Sequence, residues 1–308
     1  MAMYHLRVQF VKRSEGRSAV ACAAYRAGDR LHDEREDKTH DYRRKQHVEH
    51  SEIMLPEGAP SELQDRERLW NAIEQGIKHP RGQPAMEVEF ALPRELSREA
   101  CLELTRRFAR EQFVSQGVAV DLAIHRPQAG DGLDHPHVHL LIATRRFTDD
   151  GRIGKAARDM QDNPKLVQKV YALEEEGKLD EALTLQKDLN LGKWREAWAV
   201  YANRALEEWG SDARIDHRTL AAQEVAREPQ ISIGLTRYIR EVRDGLWERM
   251  REFQAIGFRN AMRQQMDGIR KKRPKLLAEF IAKAREHGRK LFPELNMEPQ
   301  GRGAGHER

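Results

Sequence analysis

Four histidines fall within fifteen positions of this 308-residue chain: His125, then His135, His137 and His139 in the run Asp134-His135-Pro136-His137-Val138-His139-Leu140-Leu141. On an extended strand His137 and His139 share a face with Cα atoms roughly 6.6 to 7 Å apart, close enough for both rings to turn onto one ion at about 2.1 Å. His135 stands roughly 13 Å from His139 by the same rise and is the poorest ligand of the four. His125 closes the preceding apolar strand, so a hairpin brings it beside the pair. The result is a three-nitrogen set that leaves coordination positions open for substrate oxygens. The alternative is a solvated basic turn beside a core strand, but the apolar Leu140, Leu141 and Ile142 that follow make two inward histidines hard to satisfy without a ligand. Such a set suits zinc in hydrolysis, or manganese or magnesium in phosphoryl chemistry.

Phosphoryl chemistry also needs a nucleophile. No second acidic cluster of the two-metal nuclease type is present. Near the first apolar strand stands Tyr25, in a run of small residues, Ser18-Ala-Val-Ala-Cys-Ala-Ala-Tyr25-Arg26. A tyrosine in a helix of alanines reads, by itself, as a core anchor.

The elements that must hold these groups follow from hydrophobic period. Tyr4 to Val11 alternates as a strand, and Ser18 to Gly28 reads as a short helix capped by Ser18 and stopped by Gly28. The almost wholly polar stretch 29–47 fits a mobile loop or hairpin. Glu49 to Leu55 is a short strand ending at Pro56, and Ser61 to Ile77 is a helix with Ser61 at its cap and Leu69, Trp70 and Ile73 on one side. Met86 to Leu92 alternates as a strand and Ser97 to Gln116 is an amphipathic helix. Val118 to His125 and His137 to Thr144 form two further strands joined by the turn 128–134. This order specifies an α+β fold, an antiparallel sheet with helices packed on one face, followed by a mainly helical C-terminal region.

Composition narrows the class. The chain is 39% hydrophobic, 34% charged and 6% aromatic, which excludes collagen-like and disulfide-built proteins. No apolar run approaches the roughly 18 to 20 residues that cross a bilayer, and the N-terminus lacks the order of a secretory signal, so the expectation is a soluble protein with no membrane insertion. Cys22 and Cys101 fit a reducing cytoplasm. The net charge of +4 is unevenly distributed: residues 235–295 hold 16 Lys+Arg and 8 Asp+Glu, a balance of +8, while 296–308 hold two of each and 1–234 carry −4. A basic helical segment on a slightly acidic body suggests a polyanion partner. Pro229 and Gly234 make a hinge before it, and the end 298–308 reads as disordered.

Taken in order, Met1-Ala-Met-Tyr-His, the Ser18 to Arg26 run, Glu87 five residues before Leu92-Pro93, Leu122-Ala-Ile-His125, Pro136-His137-Val138-His139-Leu140 and Arg214-Ile215-Asp216-His217-Arg218 resemble the MobA/MobL family of plasmid mobilisation relaxases. These are HUH endonucleases, of the MOBQ type. The resemblance implies a relaxase domain over 1–222 with a helical insertion near 155–190, then a basic helical region over 223–295 and a disordered tail over 296–308. It implies Tyr25 as the catalytic tyrosine, His125, His137 and His139 as metal ligands, and Glu87 as the acidic active-site residue, with Glu89 on the same strand face as second choice. Two positions depart from the family: His135 stands where Asn is common, and Ser232 where a histidine is.

The activity implied is strand-specific nicking at a plasmid transfer origin, through a 5′-phosphotyrosyl intermediate that is later religated. Glu87 is then the candidate helper in removing the Tyr25 proton. The implied cofactor is Mn2+ or Mg2+, with Zn2+ as an alternative, and the implied DNA is single-stranded or a hairpin. Arg26, Arg214, His217 and Arg218 are the candidate DNA contacts. Relaxosome accessory proteins and a type IV secretion coupling protein are the implied partners, in a bacterial cytoplasm from which such proteins can travel with the DNA to a recipient cell. The competing classes are an HUH rolling-circle initiator or transposase, a non-catalytic DNA-binding protein on the same sheet, and a small-molecule zinc hydrolase. The initiator commonly uses two nearby tyrosines, and Tyr25 has no partner one helical turn away. The hydrolase lacks its histidine pair at helical spacing with an adjacent glutamate.

Overall fold

The computed structural model describes residues 4–128 and 132–218, with Gln223, Val225, Glu252 and 254–264. Chain packing separates two units, Met1–His217 and Arg218–Arg308. In the second, 254–264 are helical. The expected hinge at Pro229 and Gly234, most of the basic helical region and the tail lie outside the described residues.

The first unit is built on strands β1 (Leu6–Val11), β2 (Arg30–Asp33), β3 (Lys38–Asp41), β4 (Val48–Met54), β5 (Ala85–Ala91), β6 (Val118–His125), β7 (His137–Phe147) and β8 (Ile153–Ala156). The main sheet runs β1-β5-β7-β6-β4 with β8 added to the far end of β7, and every pairing in it is antiparallel. β8 escapes sequence reading because Ile153-Gly-Lys-Ala is short and carries no apolar alternation. Strands β2 and β3 form a separate hairpin.

Helices cover both faces of the sheet, not one. α1 (Ala19–Ala27) and α2 (Arg66–Gln75) bury Ala19, Val20, Ala23, Leu69, Trp70 and Ile73 against Ala85, Leu141 and Ala143. α3 (Arg98–Gln112) and, beyond α4 (Pro164–Glu175) and α5 (Leu179–Gln186), α6 (Asn190–Glu208) bury Phe108, Trp194 and Trp198 against Val88, Phe90, Leu122, Ile124, Val138 and Leu140. The central strands are apolar on both faces except toward one end, so a single covered face could not shield them. Val170 and Leu173 of α4, Ala182 of α5 and Leu189, just before α6, form a separate small cluster.

Local chemistry sets the ends of the helices that matter for the site. Ser18 Oγ accepts from Ala21 N at 3.2 Å and α1 stops at Gly28, whose φ of 66° is a left-handed value that glycine adopts without penalty. A Cβ at Gly28 would also lie 3.2 Å from Val48 Cγ2 and 3.8 Å from Lys45 Cβ, so this glycine lets the segment 42–48 close onto the end of α1. The helix expected from Ser61 begins later: Ser61–Gln64 is one 3-10 turn, and Asp65 caps α2 by accepting from Arg68 N at 2.9 Å. Asp65 wins because its backbone is extended, φ −72° and ψ 119°, which breaks the run and aims its carboxylate at the freed amides.

Candidate active site

The three histidines converge. His125, the last residue of β6, faces His137, the first of β7, across the register, and His139 follows two residues on along the same face. Ring centroids are 5.3 Å apart for His125 and His137, 4.6 Å for His125 and His139, and 5.1 Å for His137 and His139. One nitrogen from each lies within 4.8 Å of the others. His135 lies outside the group, and its carbonyl accepts from His137 Nδ1 at 3.0 Å.

Each ring is anchored by an oxygen on one nitrogen. His125 Nε2 donates to Arg26 O at 2.7 Å, His137 Nδ1 to His135 O, and His139 Nδ1 to Glu87 Oε1 at 2.9 Å. A carbonyl or carboxylate oxygen accepts only an N–H, so the nitrogen facing it is the donor, and in a neutral ring the opposite nitrogen keeps its lone pair. Burial pushes His125 down to about 3 and His137 down to about 4, so both rings are neutral at pH 7. Three converging imidazoles, each oriented by a hydrogen bond on one nitrogen, are the donor set a divalent ion requires, and a divalent metal fits here.

Glu87 sits on β5 beside this group, buried and fully engaged. It accepts from His139, from Arg26 Nε and, on its other oxygen, from Gln9 Nε2 of the neighbouring β1. Burial alone would raise its carboxyl; the His139 hydrogen bond and the Arg26 charge outweigh it and hold the group well below the usual carboxylate range. A carboxylate so placed is a weak base, and what it touches is His139, whose ring it orients. Glu89, on the same face, pairs with Arg7 at 2.6 Å and lies 3.9 Å from His5.

Tyr25 is half exposed at the last turn of α1, and the next residue, Arg26, is the one whose carbonyl holds His125. The end of the helix that carries Tyr25 thus lies against His125 through the Arg26 carbonyl, and the half-exposed tyrosine is not a core anchor. Two residues that spacing did not reveal surround it. Tyr42 meets its ring edge to face at 5.2 Å, and the Lys45 ammonium lies 3.8 Å from its ring centroid and donates to Tyr25 O at 2.8 Å. Both come from the polar stretch 29–47, which folds as the β2–β3 hairpin and then a pinned turn. Tyr42 N donates to Asp29 O and Arg126 N to His47 O, each at 2.9 Å. Only the mix of tyrosine and basic residues in Tyr42-Arg-Arg-Lys-Gln-His47 could have marked this segment.

The expected DNA contacts divide. Arg26 is buried, and its guanidinium is spent on Glu87 and on Cys22 O at 3.0 Å. Arg214 is exposed and donates to Ser211 O and Ala213 O, in a segment tied to α6 by Asn203, which bonds both backbone groups of Ile215. His217 is half-buried at the end of the first unit and Arg218 is exposed at the start of the second. Arg26 is tied to the histidine group by its carbonyl, which holds His125, and by Glu87, which it shares with His139.

A family model described as "MobA/MobL family" matches residues 17–242. The "Probable mobilization protein MobA" of Bifidobacterium longum is 33% identical over 98% of this chain, which spans 56% of that protein's length. The "Mobilization protein MobL" of Acidithiobacillus ferridurans is also 33% identical, over 87% of this chain and 72% of its own length. Among solved structures, one described as "Molecular Basis of Vancomycin Resistance Transfer in Staphylococcus aureus" aligns with a TM-score of 0.57 and 28% identity, covering 71% of this chain and all of that one.

Proposed function

Because the chain belongs to the MobA/MobL family, we propose that it is a relaxase, which nicks one strand of DNA at a plasmid transfer origin and later rejoins it. The observation that carries this reading is the convergence of His125, His137 and His139 beside the helix that presents Tyr25. The catalytic unit is Met1–His217, and the second unit contributes to holding DNA or accessory proteins.

Tyr25 Oη attacks the scissile phosphorus. The P–O3′ bond breaks as the P–Oη bond forms, leaving a 5′-phosphotyrosyl link and a 3′-hydroxyl. The proton lost by the phenol is matched by the one the 3′ oxygen gains, and the ester bond energy is retained for religation, so no nucleotide hydrolysis is needed. Bound at the three histidines, a divalent ion, Mn2+ or Mg2+ with Zn2+ as the alternative, would offset negative charge on the phosphate oxygens. Glu87 acts through His139, holding that ring in the tautomer and direction a ligand needs. Its depressed carboxyl makes it a positioning residue here, not the group that takes the Tyr25 proton. The DNA enters as a single strand or hairpin, with backbone contacts from exposed cations such as Arg214 and from His217 and Arg218. Accessory proteins of a relaxosome and a secretion coupling protein are the partners this activity calls for, in the bacterial cytoplasm.

The test is direct. The protein is incubated with Mn2+ and a pool of single-stranded oligonucleotides, and DNA attached to protein is sought on a denaturing gel. A covalent adduct is expected, absent in Tyr25→Phe and in His137→Ala. No adduct in the parent protein removes the nicking reaction. A second reading, a two-tyrosine site of the replication-initiator kind, is favoured by Tyr42, which the fold brings to Tyr25 although no helical spacing does. An adduct that survives Tyr25→Phe and maps to Tyr42 selects it.

A further inference from the structure

Lys45 stands in an unusual relation to Tyr25. Its ammonium meets the tyrosine twice, at the backbone carbonyl and over the ring face. The first contact is a helix-end cap, since Tyr25 O is among the last carbonyls of α1 and has no amide to meet within the helix. Any donor of suitable reach would serve it. The second contact needs a charge: as a phenol loses its proton, negative charge spreads from the oxygen into the ring, and a cation against that ring opposes its build-up. The turn carrying Lys45 is pinned at both ends, by Asp29 O and by Arg126 N, and Gly28 lets it approach α1 closely.

We propose that Lys45 is a positioning residue for Tyr25, whose ammonium favours the deprotonated phenol and holds its ring at the rim of the histidine group. The inference rests on Tyr25 being the nucleophile. It also supplies what Glu87 does not, a group beside Tyr25 that eases removal of its proton. The charged and titratable groups around Lys45 are Arg26, Glu87, His125 and the two tyrosines, Tyr25 and Tyr42. Burial, then the nearby Arg26 charge, brings Lys45 down to about 8, which leaves it mostly charged at pH 7.

Two substitutions separate the cap from the charge. Lys45→Gln keeps a donor without charge, and Lys45→Arg keeps the charge. In the first arm no DNA is used: each protein is treated with tetranitromethane at pH 7, a reagent that nitrates phenolates. Tyr25 nitration is then measured by peptide mass spectrometry against the exposed Tyr171 of the same molecule. Lys45→Gln is expected to nitrate at Tyr25 about 10-fold more slowly and Lys45→Arg within about 2-fold of the parent. Because removing Lys45 also uncovers the ring, a mere loss of packing speeds nitration. An unchanged or faster rate in Lys45→Gln overturns the proposal.

In the second arm the Mn2+ and oligonucleotide-pool reaction is followed in time. Lys45→Gln is expected to form adduct about 10- to 100-fold more slowly at pH 7, with the deficit narrowing as the pH is raised toward 9.5. A deficit equal at every pH overturns the role assigned to the charge. Slowed nitration with no adduct in any protein, parent included, supports the pairing of Lys45 with Tyr25 and counts only against the nicking reading.

Discussion

The two faces of strands β5, β6 and β7 share a backbone but differ in what their side chains do. On one, Val88, Phe90, Leu122, Ile124, Val138 and Leu140 lie dry under α3 and α6. On the other, one residue along each strand, Glu87, Glu89, Asp121, His125, His137 and His139 alternate with the apolar contacts of α1 and α2. The polar face is affordable because its groups are joined: Asp121 accepts from Arg66 and Trp70 Nε1, each at 2.9 Å, and Glu87 from His139, Arg26 and Gln9. The apolar face stabilises the fold without reference to orientation, whereas the polar face orients rings and charges at little net gain in stability. Substitutions on the two faces should therefore fail differently.

The largest effect belongs to the polar side. Tyr25→Phe is expected to lower covalent adduct by about 10⁴-fold or more while the thermal midpoint stays within a few degrees, as read from adduct gels and calorimetry. Phe90→Ala, on the other face, removes contacts to Phe108 at 5.3 Å and Trp198 at 4.1 Å between ring centroids and should cost about 3 to 5 kcal/mol in urea unfolding. The molecules still folded should titrate metal as the parent does. If metal affinity falls with stability in Phe90→Ala, the two faces are not separable.

Glu87→Gln sharpens the contrast from the polar side. It leaves His139 without its carboxylate, and a drop of about 10- to 100-fold in Mn2+ affinity by calorimetric titration is expected. Acid should act on the same face. His125 and His137 bind no proton in the folded protein at pH 5, whereas in the unfolded chain they do below about pH 6.5. The unfolded state thus holds more protons, so stability is complete above pH 6.5 and falls as the pH drops toward 4. A loss of about 2 kcal/mol per histidine, roughly 4 kcal/mol for the two, between pH 7 and pH 5 is expected for metal-free protein, flattened in His125→Gln/His137→Gln. The smallest effect is Ser18→Ala, about 2 kcal/mol, because it removes both the helix cap at the start of α1 and the hydroxyl donated to the buried Asp33 carboxylate.

The histidine set was legible because a two-residue period puts His137 and His139 on one face, and because a strand ending in His125 just before a hairpin fixes which residue stands opposite. The α1 boundaries were equally plain, since Ser18 and Gly28 act through local backbone chemistry. The second helical layer was not, because the sequence of an apolar strand does not say how many faces are covered. Nor was the cap of α2: Ser61 and Asp65 both qualify locally, and only the chain direction imposed by neighbouring elements chooses Asp65. Arg26 read as a cation for DNA, and the fold committed it to Glu87, 61 residues away.

By itself the sequence determined the five long strands of the main sheet and the ring set, which follow from side-chain period and short-range backbone preferences, whereas Tyr25 was singled out only by the family resemblance. Tertiary structure alone decided that Glu87 orients His139, that Arg26 is buried against it, and that Tyr42 and Lys45 flank Tyr25. Those contacts join positions far apart in the chain, and their partners are selected by how β5 pairs with β7 and how one pinned turn closes over Gly28. No local period encodes such a choice, because it is made by the packing of whole elements.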